Sequence, residues 1–518
     1  MRMRRSLVHG ALSVTALTGL AVASEPSSSR RTQVGAPYLR SQVTTHRGNS
    51  PDGQTWGKFR RANSRRQDAT RLENQQTGTS YTIDIEIGTP PQPLTLILDT
   101  GSSELWVNPT CATSGQPDYC ESFSQFDYTS SSTINDTGYS NMLAYGKGNV
   151  TIEYVTDVVS IGSASITDQI FGVGFESYDI PLGILGLAPP TDSEPLYTYV
   201  LDNMVDQGLI DSRAFSLDLR DVDSPDGSVI FGGVDTGKFV GELQKCPIVD
   251  PLETPSGADR YWIYLTGLGM TLPSGESGLI ASGELPVFLD SGGTMTRLPT
   301  QVFEAVGSVF PGSQYDAESG YFIVDCDVGD SSGSVDFVFS EKIISVAFDD
   351  FIWRVPSMDD TCVLGVLADD DEPVLGDTFL RAAYVVYDQD NRNLHLAQAA
   401  NCGTSLVAIS SGSDAVPSVT GDCTATVEAG PLTGSLTATE APSTITNGPG
   451  GLSSAIAPGP GGTQTGERVA SSLCLTCKNT ATAAANPSGT TRTANAGAVE
   501  TGSPLAAVGA MAMAALLI

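Results

Sequence analysis

The chain has 518 residues, 40% of them hydrophobic, with 55 glycines, 30 prolines and a formal net charge of −32, which suits two or three domains of a turn-rich β-protein carrying some low-complexity sequence. Residues 1–71 hold 13 Lys and Arg against 3 Asp and Glu, so that +10 segment leaves a net −42 on the rest. A body this acidic repels phosphate backbones and excludes nucleic acid as a partner; its self-repulsion falls as carboxylates protonate, so it suits acidic surroundings.

At the N-terminus, Arg2, Arg4 and Arg5 precede a short apolar stretch ending in Ala21-Val22-Ala23. This reads as a secretory signal over residues 1–23, its apolar core too short for a spanning anchor. Secretion permits disulfides among the nine cysteines, and the odd number leaves at least one unpaired. Residues 24–66 are polar and basic, with arginine pairs at 30–31, 60–61 and 65–66. They read as a propeptide that docks on the acidic body as an inhibitor and is cut after Arg66, giving a mature start at Gln67.

From Tyr81 the pattern alternates strictly. Tyr81, Ile83, Ile85 and Ile87 are expected on one face of a strand, with Thr82, Asp84 and Glu86 on the other. After a turn at Gly88-Thr89-Pro90-Pro91 comes LILDTGSSELWV, residues 96–107, an apolar run that ends on Asp99 and continues through Thr100, Gly101, Ser102 and Ser103 to Trp106. Cys111 and Cys120 enclose a Gly- and Pro-containing loop and read as a local bridge. Asn135 and Asn149 begin N-x-Thr sequons for N-glycosylation. Short strands continue to about Ala399, with helical windows only near Leu196–Gln207 and Thr300–Val309. The expectation is a mostly β body.

The opening motif recurs. PVFLDSGGTMTRLP, residues 286–299, again runs apolar residues into an acid, Asp290, followed by Ser291 and Gly292. GILGLA at 183–188 and PVLGDTFL at 373–380 match as well, their Gly186 and Gly376 lying 87 residues after Asp99 and 86 after Asp290. Two signatures at nearly equal spacing point to a duplicated lobe that contributes one acid from each copy to the seam. Like carboxylates brought together share a proton, so one acts as base while the other acts as acid. Such a pair can deprotonate a water and protonate a carbonyl oxygen without a metal or other cofactor. The three histidines, His9, His46 and His395, fall in the signal, the propeptide and a terminal strand, which leaves no base for a Ser or Cys nucleophile and no His-based metal cluster. Cys474 and Cys477 have metal-like spacing but no second pair nearby.

From 403 the chain is rich in Ser, Thr, Ala, Gly and Pro and too poor in apolar residues for a core, so 403–495 reads as a flexible, O-glycosylated stalk. Residues 504–518 are mostly apolar but short of the roughly 20 residues of a spanning helix. Small residues, a polar spacer and this apolar end fit a glycolipid (GPI) attachment signal over 496–518, with Asn495 as the attachment residue and the membrane as a partner. A tail embedded in the membrane is the alternative.

Taken together, residues 79–399 resemble a pepsin-type aspartic peptidase, on both acid motifs, both Gly186 and Gly376 motifs and the terminal YVVYDQDNRNLHLAQA. The stalk and anchor signal resemble the fungal cell-surface yapsin group. The resemblance implies a bilobal pepsin-like fold with two related β-barrel-like lobes, over 67–245 and 246–402, and the active cleft between them. It implies a monomer acting on polypeptides, with Asp99 and Asp290 as catalytic acids. Thr100 and Ser291 would cross-link the active loops, supported by Gly101, Ser102 and Gly292. A hairpin flap, Tyr145-Gly146-Lys147-Gly148, would cover the substrate with Tyr145 near Trp106, and Cys326 would pair with Cys362. Two departures stand out. Gly293 occupies the position where the family has a hydroxyl; unless Thr294 or a water replaces that donor to Asp290, the protonated state of Asp290 should be favoured. Lys147 stands near the flap tip, where it is expected to repel a basic substrate side chain, whereas yapsins cut beside Lys or Arg. A silent relative serving as a wall-binding or adhesion protein remains the competing function.

Overall fold

The computed structural model describes residues 38–47, 79–146, 148–191, 197–221, 224, 226–317, 319–355, 361–424, 432, 436, 444–445 and 473–474. The signal, most of the basic segment, Lys147, Cys477, Asn495 and nearly all of the stalk and anchor signal lie outside them. Among the described residues, no helix is long and apolar enough to cross a membrane.

The structure is mostly β. The first lobe is built from β1 (Leu39–Arg47), β2 (Thr79–Ile87), β3 (Gln92–Asp99), β4 (Leu105–Val107), β5 (Asn135–Ala144), β6 (Asn149–Ile161), β7 (Ala164–Tyr178) and β8 (Ile184–Gly186). Next come β9 (Ala214–Asp218), β10 (Asp226–Phe231), β11 (Gly233–Asp235) and β12 (Phe239–Pro247), and the second lobe opens with β13 (Trp262–Thr271) and β14 (Ser277–Leu289). Alternation does what the sequence leads one to expect in β2: Tyr81, Ile83, Ile85 and Ile87 are buried and Asp84 and Glu86 exposed. Thr82 departs from that pattern. It is buried because β1 runs alongside, and its hydroxyl donates to the Thr44 carbonyl at 3.4 Å.

Among the described residues the largest sheet has fourteen strands, and strands from both ends of the chain mix within it. The late strand Ala383–Asp388 pairs with β9, and Asn393–Ala399 pairs with β12. The lobe boundary expected between 245 and 246 therefore falls inside a strand of this shared sheet. β1 sits between β10 and β2, with Leu39 opposite Phe231 and Val43 opposite Ile83. Part of the segment read as a propeptide is thus held by strand pairing on both sides, not by charge alone. An eight-stranded sheet around β13 and β14 carries the second lobe. Helices are short: Thr300–Val309 lies where the sequence places it, and Val200–Asp206 falls within the other window.

The ordered body continues past 402. Leu406–Ala408 pairs with β11, Thr420–Asp422 pairs with β12, and Ile409, Ala415 and Val416 bury against Phe239, Tyr384 and Val386. These few apolar residues suffice because the sheet supplies the rest of the core. Disulfides join Cys111 to Cys120, Cys326 to Cys362 and Cys402 to Cys423, with Cα separations of 5.3, 5.2 and 5.5 Å. Cys246 is a free, buried thiol whose pKa burial pushes up to about 12.

The Cys402–Cys423 bridge closes a loop spanning 21 positions, and a cross-link of that span restricts the unfolded chain by about 3 kcal/mol. Replacing both cysteines by serine should lower the thermal midpoint measured without reductant. An unchanged midpoint would mean that the extension contributes nothing to the body.

Candidate active site

The two acid loops are built alike. β3 buries Leu94, Leu96 and Leu98 and delivers Asp99 at its end, 3% exposed. β8 runs parallel beside it, pairing Gly186 with Asp99, and the Leu187 N–H donates to the Asp99 carbonyl at 2.8 Å. In the second lobe Val374–Leu375 runs parallel to β14, and the Asp290 N–H donates to the Leu375 carbonyl at 3.1 Å. The repeated glycines have a steric reason. A Cβ on Gly186 would lie 2.5 Å from the Ser103 carbonyl carbon, and one on Gly376 would lie 2.4 Å from the Gly293 oxygen. Each passes under an acid loop too closely for a side chain.

Reciprocal bonds lock the loops together. The Thr100 N–H donates to Ser291 Oγ at 3.0 Å, and Ser291 Oγ donates to the Leu98 carbonyl at 2.9 Å. In mirror fashion the Ser291 N–H donates to Thr100 Oγ1 at 3.0 Å, and Thr100 Oγ1 donates to the Leu289 carbonyl at 3.1 Å. Four polar groups buried at the seam are thereby satisfied, each of which would cost about 1–3 kcal/mol if left unpaired.

The acids meet as a result. A Cβ on Gly101 would lie 2.5 Å from Asp290 Oδ1, and one on Gly292 would lie 2.6 Å from Asp99 Oδ1. The Gly101 N–H donates to Asp99 Oδ1 at 2.7 Å and the Gly292 N–H to Asp290 Oδ1 at 2.8 Å. The outer oxygens differ. Ser102 Oγ donates to Asp99 Oδ2, while Gly293 offers Asp290 Oδ2 no side-chain donor, and a Cβ there would stand 3.2 Å from that oxygen. Burial, and then the Asp99 charge, hold the Asp290 carboxyl well above the usual aspartate range. Asp290 is thus the acid that retains the proton.

Over the pair lies the β5–β6 hairpin. The Tyr145 N–H donates to the Gly148 carbonyl at 2.7 Å across its turn, and the Trp106 indole donates to Tyr145 Oη at 2.8 Å. Burial, together with the Asp99 charge, raises the Tyr145 phenol well above its ordinary value, so it stays a neutral hydroxyl. Tyr145, Gly146, Asp99, Gly101, Ser102 and Asp290 line a cleft of about 810 Å³, which Pro251 and Ser256–Arg260 also line. The structure thus brings the acids, their supporting loops, Trp106 and the hairpin together. Gly148 closes the hairpin turn, and Asn135 and Asn149 begin its strands. His395 lies in strand Asn393–Ala399, where burial and then the Lys245 charge push its imidazole down to about 4.

The sequence reading missed Glu104. It is buried on the cleft wall, its Oε1 accepting from the Tyr154 hydroxyl at 2.9 Å and its Oε2 from the Tyr197 hydroxyl. No local pattern marks it, because its partners lie 50 and 93 residues away. Arg260, Arg297 and Glu372 also line the cleft, but no local pattern marks them. Among the described residues, no group of three or more His, Cys, Asp or Glu side chains is arranged to hold a metal ion.

Residues 80–399 match the family model described as eukaryotic aspartyl protease. The chain is 36% identical over 372 residues to a protein of Aspergillus oryzae named probable aspartic-type endopeptidase opsB, covering 67% of this chain and 74% of that one. It is 29% identical over 410 residues to aspartic proteinase 3 of Saccharomyces cerevisiae, covering 63% and 71%. The crystal structure of the aspartic proteinase from Irpex lacteus superposes with a TM-score of 0.51 at 22% identity, over 62% of this chain and 94% of that one, a likeness of fold.

The Asp290 geometry has a consequence for stability. An unfolded aspartate gives up its proton near 3.8, whereas folded Asp290 keeps it to higher pH. Its contribution is therefore full below the unfolded value and lost as pH rises through the folded one. Asp290→Asn carries no such proton, so wild type should lose stability relative to the variant on going from about pH 4 upward, by about 1.4 kcal/mol for each pH unit until the folded value is passed. Parallel stability–pH curves from denaturant titrations would contradict this.

Proposed function

This chain belongs to the eukaryotic aspartyl protease family and is an aspartic-type endopeptidase; from that premise we propose that Asp99 and Asp290 hydrolyse peptide bonds at acid pH by activating a water between them. The single observation that carries the reading is the reciprocal approach of each acid to the glycine of the opposite loop, at 2.5 and 2.6 Å from the Cβ positions. Proton sharing between like carboxylates is a known property of the dyads of such proteases, and this chain's pair is read in that light.

In this mechanism Asp99, held by the Gly101 N–H and the Ser102 hydroxyl, acts as the base, and Asp290 carries the proton. Asp99 takes a proton from the water as the water oxygen bonds to the scissile carbonyl carbon, while Asp290 delivers its proton to the carbonyl oxygen. The tetrahedral diol then collapses. One hydroxyl proton returns to Asp290, the Asp99 proton passes to the amide nitrogen, and the C–N bond breaks to give a carboxylic acid and an amine. The Tyr145 hydroxyl, held by Trp106, covers the cleft from above.

The proposal extends to the life of the chain. The signal over 1–23, the stalk and glycolipid attachment at Asn495 would carry the enzyme through the secretory pathway to the cell surface, facing outward; these rest on the sequence pattern. The basic segment 24–66 acts as a propeptide, and the pairing of β1 with β2 and β10 supports its docking on the body. Gly293 favours a second reading, a weakened or silent relative acting as a wall-binding protein. Acid proteolysis that pepstatin blocks separates the two.

Asp99→Asn should abolish hydrolysis of an unfolded protein at acid pH while leaving the fold intact; normal turnover by that variant would remove Asp99 from the chemistry. Gly293→Thr places a hydroxyl beside Asp290 Oδ2. A hydrogen bond to a charged group is worth about 1.5–3 kcal/mol, so ionised Asp290 is favoured and the alkaline limb of the activity profile should move about one to two pH units lower.

Maturation is read by N-terminal sequencing of the secreted protein. The expected start is Gln67, after Arg65-Arg66; a start well upstream of Arg60 refutes it.

A further inference from the structure

Asn149 is the first residue of β6, immediately after the turn that carries Tyr145. Its cross-strand partners are Ala144 on β5 and Tyr178 on β7. Residues directly opposite one another share a face of a sheet. The next row, Leu143, Val150 and Ser177, is buried, so Ala144, Asn149 and Tyr178 share the opposite, outer face of the hairpin; Ala144 and Met142, on the edge strand β5, also border the cleft, whereas Asn149 and Tyr178 do not. One row further come Met142, Thr151 and Glu176 on that same face.

This outer face carries a large apolar surface in water: Met142 is 65% exposed and Tyr178 44%. The Tyr178 ring is steadied by its hydroxyl, which donates to Glu176 Oε1 at 2.8 Å. Asn149-Val150-Thr151 is an N-x-Thr sequon, so an acceptor amide and an aromatic face stand directly opposite each other. The other sequon lacks this arrangement. Asn135 pairs with Thr156, and its Nδ2 already donates to the Thr133 carbonyl at 3.2 Å.

We infer that Asn149 carries an N-linked glycan whose first sugar packs on the Tyr178 ring, capping the outer face of the hairpin over the cleft. Attachment joins Nδ2 to the anomeric carbon of an oligosaccharide donated from a lipid pyrophosphate. The C–N bond forms, the C–O bond to the pyrophosphate breaks, the lipid pyrophosphate leaves with the electron pair, and Nδ2 gives up one proton. A sugar ring presents polarised C–H groups to the negative face of an aromatic ring and its hydroxyls to water. The cap therefore covers Tyr178 while leaving the surface wet. Because Asn149 and Tyr178 lie on neighbouring strands, the stacked sugar also ties β6 to β7 at the root of the turn. The Tyr145 turn then closes over the cleft from a stiffer base.

The inference rests on the secretory routing proposed above, and the test separates the two. Protein secreted from a eukaryotic host is deglycosylated in heavy-oxygen water and peptide-mapped by mass spectrometry, which marks each occupied asparagine. Asn149 is expected to be marked. Hydrogen exchange of the amides between 142 and 150 is then compared for wild type, Thr151→Ala, Tyr178→Ala and the double variant. Thr151→Ala removes the sugar while keeping Asn149, and Tyr178→Ala removes the platform while keeping the sugar. Each should speed exchange about two- to tenfold, the range of a single aromatic stacking contact, and the double variant should exchange no faster than Thr151→Ala. Sugar on Asn135 but none on Asn149 overturns the site and leaves the routing standing. No sugar on either asparagine overturns both. An occupied Asn149 with wild-type exchange in Tyr178→Ala overturns the stacking.

Discussion

Two carboxyl groups, which would repel if both were ionised, have to be buried against each other, and the structure around them is organised to hold that contact. Asp99 and Asp290 meet at the seam because the Thr100 and Ser291 hydroxyls each accept an N–H from the opposite loop and donate to the strand end behind it. The bonds are reciprocal, so neither loop can withdraw without leaving buried donors and acceptors unpaired in both lobes. The proposed proton sharing follows from the enforced contact. The two sides of the pair are unlike, with the Ser102 hydroxyl on Asp99 and Gly293 beside Asp290.

The sheets exist, in functional terms, to deliver those strand ends. Parallel pairing of β3 with β8, and of β14 with Val374–Leu375, sets Gly186 and Gly376 under the acid loops. The fourteen-stranded sheet then fixes the lobes relative to one another by mixing strands from both ends of the chain. β1 is part of that sheet, so the segment read as a propeptide is bonded through its backbone into the scaffold that aligns the acids.

The walls of the cleft add a second electrostatic layer. Glu104 is held by two tyrosine hydroxyls on the cleft wall beside the acids, and its charge contributes to keeping the Tyr145 phenol protonated. Of the other lining residues, Arg297 pairs with Asp369 at 3.7 Å and Asp259 with Arg392 at 2.8 Å. The hairpin that covers the acids is fixed from within through the Trp106–Tyr145 bond. Its outer face, with Asn149 opposite Tyr178, is open to solvent.

Much of the site was legible in the sequence because its signals are local. An apolar run stopping at an acid, a glycine a fixed distance downstream and the repetition of both in the second half single out Asp99, Asp290, Gly186 and Gly376. Period-two alternation likewise marks β2, and a close cysteine pair marks the bridge between Cys111 and Cys120. The remainder depends on partners far away in the chain. Nothing within Leu39–Arg47 says that it will lie between Phe231 and Ile83. Cys402 and Cys423 sit in sequence that looks like the start of a stalk, and become part of the body because β11 and β12 offer open edges and an apolar face there. Glu104 looks like an ordinary strand-flanking acid until Tyr154 and Tyr197 arrive from 50 and 93 residues away. The sequence by itself determined which residues are the candidates for the chemistry, since that needs only side-chain type and local spacing; the tertiary structure decided that they meet and what supports and surrounds them, since burial and pairing belong to the chain as a whole.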